Sequence, residues 1–308
     1  MNVARGVRAF PAMANEAQRV DGRDRRARLP RVRRPDAAPQ VGIPTPARYP
    51  SGVSGQLAAP GSSTGERSYT RPSAAAWRRT SSRKSTRPVS ASTMLLHSAS
   101  GRSVACSTSL ADGFLKHGHE VMRGTRDPSK LSGWKHCAGA RAQTGTFPDA
   151  VRFGELVVIS VKGTAAGSVV EACQGELSGK VVVDTNNPIA DAPPVNGVLR
   201  YFTGTNESLL ETLQRKAPAA RFVKAFSCVG SALMVNPDLP GGRPTMFICG
   251  NDAAAKQQVA QVLDLFGWEV EDMGAAEAAR AIEPLCMLWC IPGLRQNRWT
   301  HAFKLLKK

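Results

Sequence analysis

The feature that most constrains the fold is a regular alternation of short apolar runs with helical patterns after about residue 110. Several apolar runs contain almost no polar residue, as expected of strands that are covered on both faces. The candidate strands span residues 119–124, 155–161, 179–184, 221–225, 244–249 and 268–272. Candidate helices lie between them, at 163–172, 208–216, 253–266 and 275–290, after a first helix near Leu110. The alternation predicts an α/β fold with a doubly wound, mostly parallel, Rossmann-like sheet.

In such a sheet a ligand lies outside the carboxyl ends of the strands, so the turns that follow the strands are the candidate site. The turn at 124–130 reads GTRDPSK. An acidic residue there would suit a ribose 2′-hydroxyl, whereas Arg126, with Thr125 and Lys130 nearby, suits a 2′-phosphate. This pattern favours NADP over NAD. The alternative is a solvated turn in which Asp127 caps the next short helix.

Two further turns, at 161–164 and 184–188, follow the next two strands. Their small and amide residues would let a nicotinamide and its ribose approach the backbone. Each turn is a weak signal when taken singly, because turns in general favour the same residue types. The order of the three turns along the chain is the stronger indication of a dinucleotide site.

The first hundred residues have a different composition, with 18 of the 41 basic residues and five of the 24 acidic ones. They are rich in Arg, Pro, Ser, Ala and Gly and show no apolar period, which predicts a disordered basic extension over 1–100, followed by a folded domain over 101–308. An organelle transit peptide is one alternative, although four acidic residues lie among the first 36. A nucleic-acid-binding segment is another, but no aromatic residue is interleaved with the cluster of seven arginines at 23–34. We favour an upstream extension or a shifted reading frame joined to a genuine domain.

The cysteine pattern and the lengths of the apolar runs indicate the compartment in which we expect the protein. The seven cysteines form no CxxC motif and no Cys–His pattern of the metal-binding kind, so we expect reduced thiols and no metal. No apolar run reaches the about 18 residues of a membrane span, and we expect no membrane partner. The predicted location is the cytoplasm, with an organelle as the alternative if residues 1–100 are a transit peptide.

With these residues in view, residues 110–308 closely resemble the NADP oxidoreductase, coenzyme F420-dependent family, which shares its nucleotide-binding half with pyrroline-5-carboxylate reductases. The matching stretches are LADGFLKHGHEVMRGTRDPSKL, DTNNPIADAPPVNG, RFVKAFSCVGSALMVNP, GGRPTMFICGNDAAAK and EAARAIEPLCMLW. The resemblance implies a Rossmann-type domain that binds NADP(H) and transfers hydride to F420, a flavin or another small acceptor. It also implies a homodimer.

The resemblance carries cofactor contacts over to eight positions. It implies that Thr125, Arg126 and Lys130 hold the 2′-phosphate and that Val161 and Lys162 lie beside the cofactor at a strand end. It also implies that Asn187 lies near a ribose and that the turn at Val229 and Gly230 lies near the nicotinamide. We nominate no catalytic side chain, because hydride transfer depends on the orientation of two rings more than on an acid or base.

One departure from the family pattern concerns the phosphate loop. The glycines of GxGxxG belong at positions 102, 104 and 107, where this chain has Arg102, Val104 and Ser107. Side chains there would occupy the space of the pyrophosphate contacts, and residues 94–96 make a poor first strand. We therefore expect weak dinucleotide binding and hypothesise a reading-frame shift, which the coding DNA around codons 90–112 would decide. The alternatives are a divergent member, a non-catalytic NADP-binding or sensing protein, and a nucleic-acid-binding protein driven by the basic extension.

Overall fold

The computed structural model describes residues 92–97 and 102–308, with side chains from Val104 onward. Eight strands are present in this part of the chain. They are β1 (Ser92–His97), β2 (Glu120–Gly124), β3 (Ala142–Gly145), β4 (Leu156–Ser160), β5 (Val181–Asp184), β6 (Arg221–Lys224), β7 (Thr245–Ile248) and β8 (Glu269–Asp272).

The helices of the described residues alternate with these strands. They are α1 (Arg102–Lys116), α2 (Ser132–Ala138), α3 (Phe147–Phe153), α4 (Gly163–Ala172), α5 (Gln174–Leu177), α6 (Leu209–Lys216), α7 (Ala253–Leu265) and α8 (Ala279–Gln296). Short 3-10 turns occur at Pro128–Leu131, Ser231–Leu233 and Ala276–Ala278.

The first six strands form one parallel sheet in the order β3-β2-β1-β4-β5-β6. The chain reverses its winding direction at β1, which pairs with both β2 and β4. Strands β7 and β8 pair with each other in a separate parallel sheet of two strands. The predicted α/β fold with a doubly wound, Rossmann-like sheet is therefore confirmed.

Alternate residues of a strand point to opposite faces of the large sheet, and each face packs in its own hydrophobic core. On β4, Val157 and Ile159 belong to the core that includes side chains from α3, α4 and α6. Their neighbours Leu156 and Val158 belong to the core that includes α1 and α7. This arrangement explains why the central strands β4 and β5 contain only one polar residue each.

Two expectations for the start of the domain are wrong. The segment at 94–96 lies inside β1 at the centre of the sheet, because backbone hydrogen bonds to two neighbouring strands hold a strand that has only a short apolar run. The first helix begins at Arg102 rather than near Leu110, so positions 102, 104 and 107 are helical. The sequence analysis also missed β3.

The domain boundary stays a prediction, although β1 contributes to the sheet from the N-terminal side of residue 101. Within the predicted extension, residues 92–97 form β1, and the predicted disorder of residues 1–91 and 98–100 concerns residues outside the described ranges. Within the described ranges, no helix has the length and apolar character needed to cross a bilayer. No disulfide bond joins the seven cysteines, all of which lie in the described ranges.

Candidate functional site

Two adjoining cavities open at the carboxyl ends of β4, β5 and β6. The larger one, of about 480 Å³, is lined by Val161, Lys162 and Asn187 among others. The second, of about 310 Å³ and here called the apolar cavity, is lined by Asn187, Val229 and Gly230 together with aromatic side chains. Asn187 borders both. The structure thus brings together all five predicted site residues that follow β4, β5 and β6.

The loop after β5 is held in place by a short hydrogen-bonded chain. Asp184 Oδ1 accepts hydrogen bonds from the backbone N–H of Asn186 at 3.0 Å and from its Nδ2 at 2.8 Å. Asn186 Oδ1 in turn accepts from the backbone N–H of Val161 at 2.8 Å. These bonds connect the ends of β4 and β5, and so fix the floor of the larger cavity.

A buried ionic cluster lies beneath this loop. Lys224 Nζ, at the end of β6, lies 2.6 Å from Asp184 Oδ2 and 2.7 Å from Glu283 Oε1, and donates to the backbone oxygen of Asn186 at 2.8 Å. Burial lowers the pKa of Lys224, but attraction to the two carboxylates outweighs this effect and leaves the pKa above its ordinary value. The ammonium is therefore charged, and it holds the loop from below.

Glu283 extends the cluster to the C-terminal helix. Its two carboxylate oxygens accept from the backbone N–H groups of Leu209 and Leu210, at 3.0 and 3.1 Å. These are the first residues of α6, whose free N–H groups attract a negative charge. Lys224 and Glu283 were not predicted from the sequence as site residues, although a lysine in the buried strand β6 was a visible signal.

Two residues that line the apolar cavity carry buried polar atoms with no hydrogen-bond partner among the described residues, namely Asn187 Oδ1 and Ser227 Oγ. Asn187 Nδ2 donates to the backbone oxygen of Ser227 at 2.7 Å, which fixes the orientation of the amide. Buried polar groups are nearly always paired, so a bound ligand is a natural source of the missing partners. A carboxamide offers both a donor and an acceptor.

Two glycines allow close approaches at this edge. A Cβ on Gly163 would lie 2.0 Å from the backbone oxygen of Asn187, and a Cβ on Gly230 would lie 2.6 Å from Cη2 of Trp289. Larger residues at either position would displace a wall of the site. Gly230 therefore lets an indole ring cover the apolar cavity.

The turn after β2 contains the three residues predicted for a 2′-phosphate. Asp127 caps the 3-10 turn by accepting from the backbone N–H of Ser129 at 3.2 Å, and it pairs with Lys130 at 3.7 Å. The cap that the solvated-turn alternative requires is thus present. Thr125 and Lys130 also line a third cavity of about 250 Å³, while Arg126 is exposed beside it. No described contact tests a role in phosphate binding, which stays a prediction.

Comparisons with known proteins agree with this geometry. Residues 105–188 match the family model described as NADP oxidoreductase, coenzyme F420-dependent. The chain is 29% identical over 191 residues to Metalloreductase STEAP3 of Rattus norvegicus, covering 60% of this chain and 36% of that protein. It is also 29% identical over 141 residues to the F420-dependent NADP reductase of Methanocaldococcus jannaschii, covering 46% of this chain and 62% of that protein. The matches thus span less than two thirds of either relative.

Two solved structures are also similar to this chain. The crystal structure of a candidate F420-dependent NADP-reductase from Arthrobacter superimposes with a TM-score of 0.64 at 29% identity, covering 70% of this chain and 99% of that one. A hypothetical protein from Sinorhizobium meliloti shares the fold, with a TM-score of 0.52 at 24% identity. The superposition covers 70% of this chain and 96% of that one. The fold and its relatives define a Rossmann-like protein related to NADP-dependent oxidoreductases. Within that class, the predicted resemblance to the NADP oxidoreductase, coenzyme F420-dependent family is confirmed.

Proposed function

We propose that the chain is an NADP(H)-dependent oxidoreductase that transfers hydride between NADPH and a small acceptor. The observation that carries the proposal is the pair of adjoining cavities at the strand ends, where Asn187 Oδ1 and Ser227 Oγ, on the lining of the apolar cavity, lack a hydrogen-bond partner in the described part of the chain. When bound, the nicotinamide cofactor would supply the hydride. The chain itself would bind, orient and shield the reacting rings.

Each predicted contact has a physical role in this proposal. Asn187 Oδ1 would accept from the amino group of the nicotinamide carboxamide, and Ser227 Oγ would pair with its oxygen. Val161 and Lys162 would flank the ribose and phosphates at the end of β4. Val229 and Gly230 would border the ring. Thr125, Arg126 and Lys130 would hold the 2′-phosphate.

The acceptor in this proposal is an F420-type or other flavin-like ring. Apolar and aromatic side chains, Phe226, Met234 and Trp289 among them, line the apolar cavity and suit a flat conjugated ring. The name of the methanogen relative, an F420-dependent NADP reductase, supports F420 as the first acceptor to test. An apolar wall would also exclude water from the path of the hydride.

A non-catalytic NADP-binding or sensing protein is the second candidate. It is favoured by the non-glycine residues at positions 102, 104 and 107 and by their place inside α1, where a glycine-rich loop would otherwise approach a pyrophosphate. Such a protein would retain the strand-end site without turnover. We expect NADPH to bind more weakly than micromolar for the same reason.

Two measurements on the full chain separate these functions. Equilibrium titration should show preference for NADPH over NADH, and steady-state NADPH oxidation should be followed with F420, FMN and a quinone. Turnover with any acceptor supports the enzyme, whereas NADPH binding without turnover supports the sensing protein. Failure to bind either dinucleotide at millimolar concentration would refute both. A micromolar dissociation constant would show that the glycines are dispensable.

Two further proposals concern the cellular compartment and the oligomeric state. No disulfide bond joins the cysteines of the described residues, which is consistent with a reducing compartment, and we propose the cytoplasm. We also propose a homodimer, on the strength of the family resemblance, which light scattering in solution would test.

A further inference from the structure

Two walls of the apolar cavity come from separate parts of the chain. One wall, here called the cofactor edge, consists of residues that follow β5 and β6, namely Asn187, Ser227 and Gly230. The other, here called the α8 wall, consists of Cys286, Trp289 and Cys290. Hydride transfer between a cofactor at the first wall and an acceptor against the second depends on the spacing of the two walls.

Glu283 anchors the α8 wall to the protein interior. It lies on α8 three residues before Cys286 and seven before Cys290, so the three residues share one face of the helix. Its carboxylate is almost completely buried and accepts from two backbone N–H groups at the start of α6. Its backbone oxygen accepts from Tyr201 Oη at 2.8 Å. These bonds fix α8 one turn before the wall begins.

A single buried ammonium contacts both sides of the cavity. Lys224 Nζ lies 2.7 Å from Glu283 Oε1 and 2.6 Å from Asp184 Oδ2 at the end of β5. It also donates to the backbone oxygen of Asn186 at 2.8 Å, directly before Asn187 of the cofactor edge. Hydrogen-bonded ionic networks of this kind are rigid when every member is satisfied. The ammonium therefore connects the helix of the α8 wall to the loop of the cofactor edge.

We propose that Glu283 is a positioning residue, whose bond to Lys224 sets the distance between the α8 wall and the cofactor edge. Glu283 lines neither strand-end cavity, so it acts through the helix that carries it. The consequence for hydride transfer rests on the proposed function. The placement of the α8 wall is a property of the folded chain and can be measured without turnover.

Glu211 provides a matched comparison, because it also joins α6 to α8. Its Oε2 accepts from Arg280 Nε at 3.0 Å and from Ser208 Oγ at 2.6 Å. This pair lies nearer the surface, and the described bonds of Glu211 do not include Lys224. Loss of the Glu211 carboxylate therefore weakens the same pair of helices without altering the link to the cofactor edge.

The experiment compares Glu283→Gln, Glu283→Asp and the control Glu211→Gln in the full chain. Gln keeps the length of the side chain and removes its charge, whereas Asp keeps the charge and shortens the side chain by one methylene. Urea unfolding shows which variants are folded, and either folded Glu283 variant can decide the outcome. Unfolding of both would overturn the inference, because the carboxylate would then be required for the fold rather than for the spacing.

The first measurement is the placement of the α8 wall, by fluorine NMR on the chain labelled with fluorotryptophan. The Trp289 ring lies against the cofactor edge, since a Cβ on Gly230 would be 2.6 Å from its Cη2. Trp289→Phe identifies its signal. We expect the folded Glu283 variants to shift the Trp289 signal and to leave that of the distant Trp134 in place, whereas Glu211→Gln shifts neither. An unchanged Trp289 signal in the Glu283 variants would overturn the inference.

The second measurement is hydride transfer from NADPH that carries hydrogen or deuterium at the transferred position, to the acceptor that the wild-type chain reduces. We expect the Glu283 variants to transfer hydride about ten- to hundredfold more slowly, because a displacement of about 1 Å has an effect of that size. Their dissociation constants for NADPH should stay within about twofold of the wild-type value, and the isotope effect on kcat should increase. Glu211→Gln should match the wild type in all three quantities. A role in stability alone would leave the isotope effect unchanged.

The outcomes separate this inference from the proposed function. Wild-type rates and isotope effects in the folded Glu283 variants would refute the inference and leave the proposed function standing. A loss of NADPH affinity as large as the loss of rate would also refute it, since the carboxylate would then act on the cofactor edge alone. If the wild-type chain binds NADPH without turnover, the proposed function fails, and the Trp289 signal alone decides whether Glu283 places the α8 wall.

Discussion

Gly163 begins α4 at the point where the chain leaves β4, and its missing side chain leaves room for the next loop. A Cβ there would lie 2.0 Å from the backbone oxygen of Asn187, which is far inside van der Waals contact. The Oδ1 atom of the same asparagine is buried and has no hydrogen-bond partner within residues 104–308. The packing of one glycine therefore determines the position of a residue that borders both cavities.

We expect Gly163→Ala to displace the loop around Asn187 and to weaken NADPH binding at least tenfold, with loss of stability from overpacking of about 1–3 kcal/mol. Calorimetric titration and urea unfolding would measure the two effects. Gly133→Ala is the matched control, because a Cβ at that helical position meets nothing within 4 Å. It should be neutral or stabilising by about 0.5–1 kcal/mol. Equal NADPH affinity in Gly163→Ala and wild type would contradict the prediction.

The ionic cluster of Lys224, Asp184 and Glu283 joins β6, β5 and α8 beneath the cofactor loop. All three side chains are almost completely buried. The arrangement is satisfied because Lys224 has two carboxylates and a carbonyl oxygen, and Glu283 also receives the backbone N–H groups at the start of α6. Removing one partner would leave the other buried charges uncompensated.

We expect Lys224→Met to lower the free energy of unfolding by about 3–5 kcal/mol, since two buried carboxylates would lose their counter-ion. Lys216→Met is the control, because Lys216 pairs with Glu171 at the surface and such pairs contribute at most about 1 kcal/mol. Urea unfolding of both variants measures the difference. Similar losses in the two variants would show that the cluster contributes no more than a surface pair.

The helices and strands were largely predictable from their sequences, because periodicity reports which faces are buried. Helix α4 was predicted with the bounds that it has. Strand β3 was missed because its residues, AQTG, lack an apolar pattern and only one of them is buried. Strand β1 was misjudged because its support is backbone pairing with two neighbours, which leaves no mark on residue type.

Several cysteine thiols are buried in the folded protein. Their burial makes the free energy of unfolding depend on pH in the alkaline range. Burial raises the pKa of Cys173 to about 11 and those of Cys228 and Cys249 to about 12. In the unfolded chain these thiols titrate near their ordinary value of 9.0. Above that pH the unfolded state releases protons that the folded state retains, so stability is complete below about pH 9 and declines as the pH rises toward the folded values.

We expect the free energy of unfolding to fall between pH 9 and 11, with a contribution of about 1.4 kcal/mol per pH unit from each fully titrating buried thiol. Urea unfolding at several pH values measures the slope. Cys228→Ala should flatten the slope by one proton, whereas Cys137→Ala, which changes an exposed thiol, should leave it unaltered. An identical slope in Cys228→Ala and wild type would contradict the assignment.

The amino-acid sequence by itself determined the α/β class, six of the eight described strands and the polar turns that follow β2, β4 and β5, because these follow from local periodicity and turn chemistry. Only the tertiary structure decided that Lys224 meets Glu283, that Arg123 is buried and bonded to Ser107, and that Asn187 borders both strand-end cavities. The physical reason is sequence separation. Lys224 and Asp184 are 40 residues apart, and Glu283 binds the start of a helix 74 residues away. Such partners are selected by packing in three dimensions, which no local pattern records.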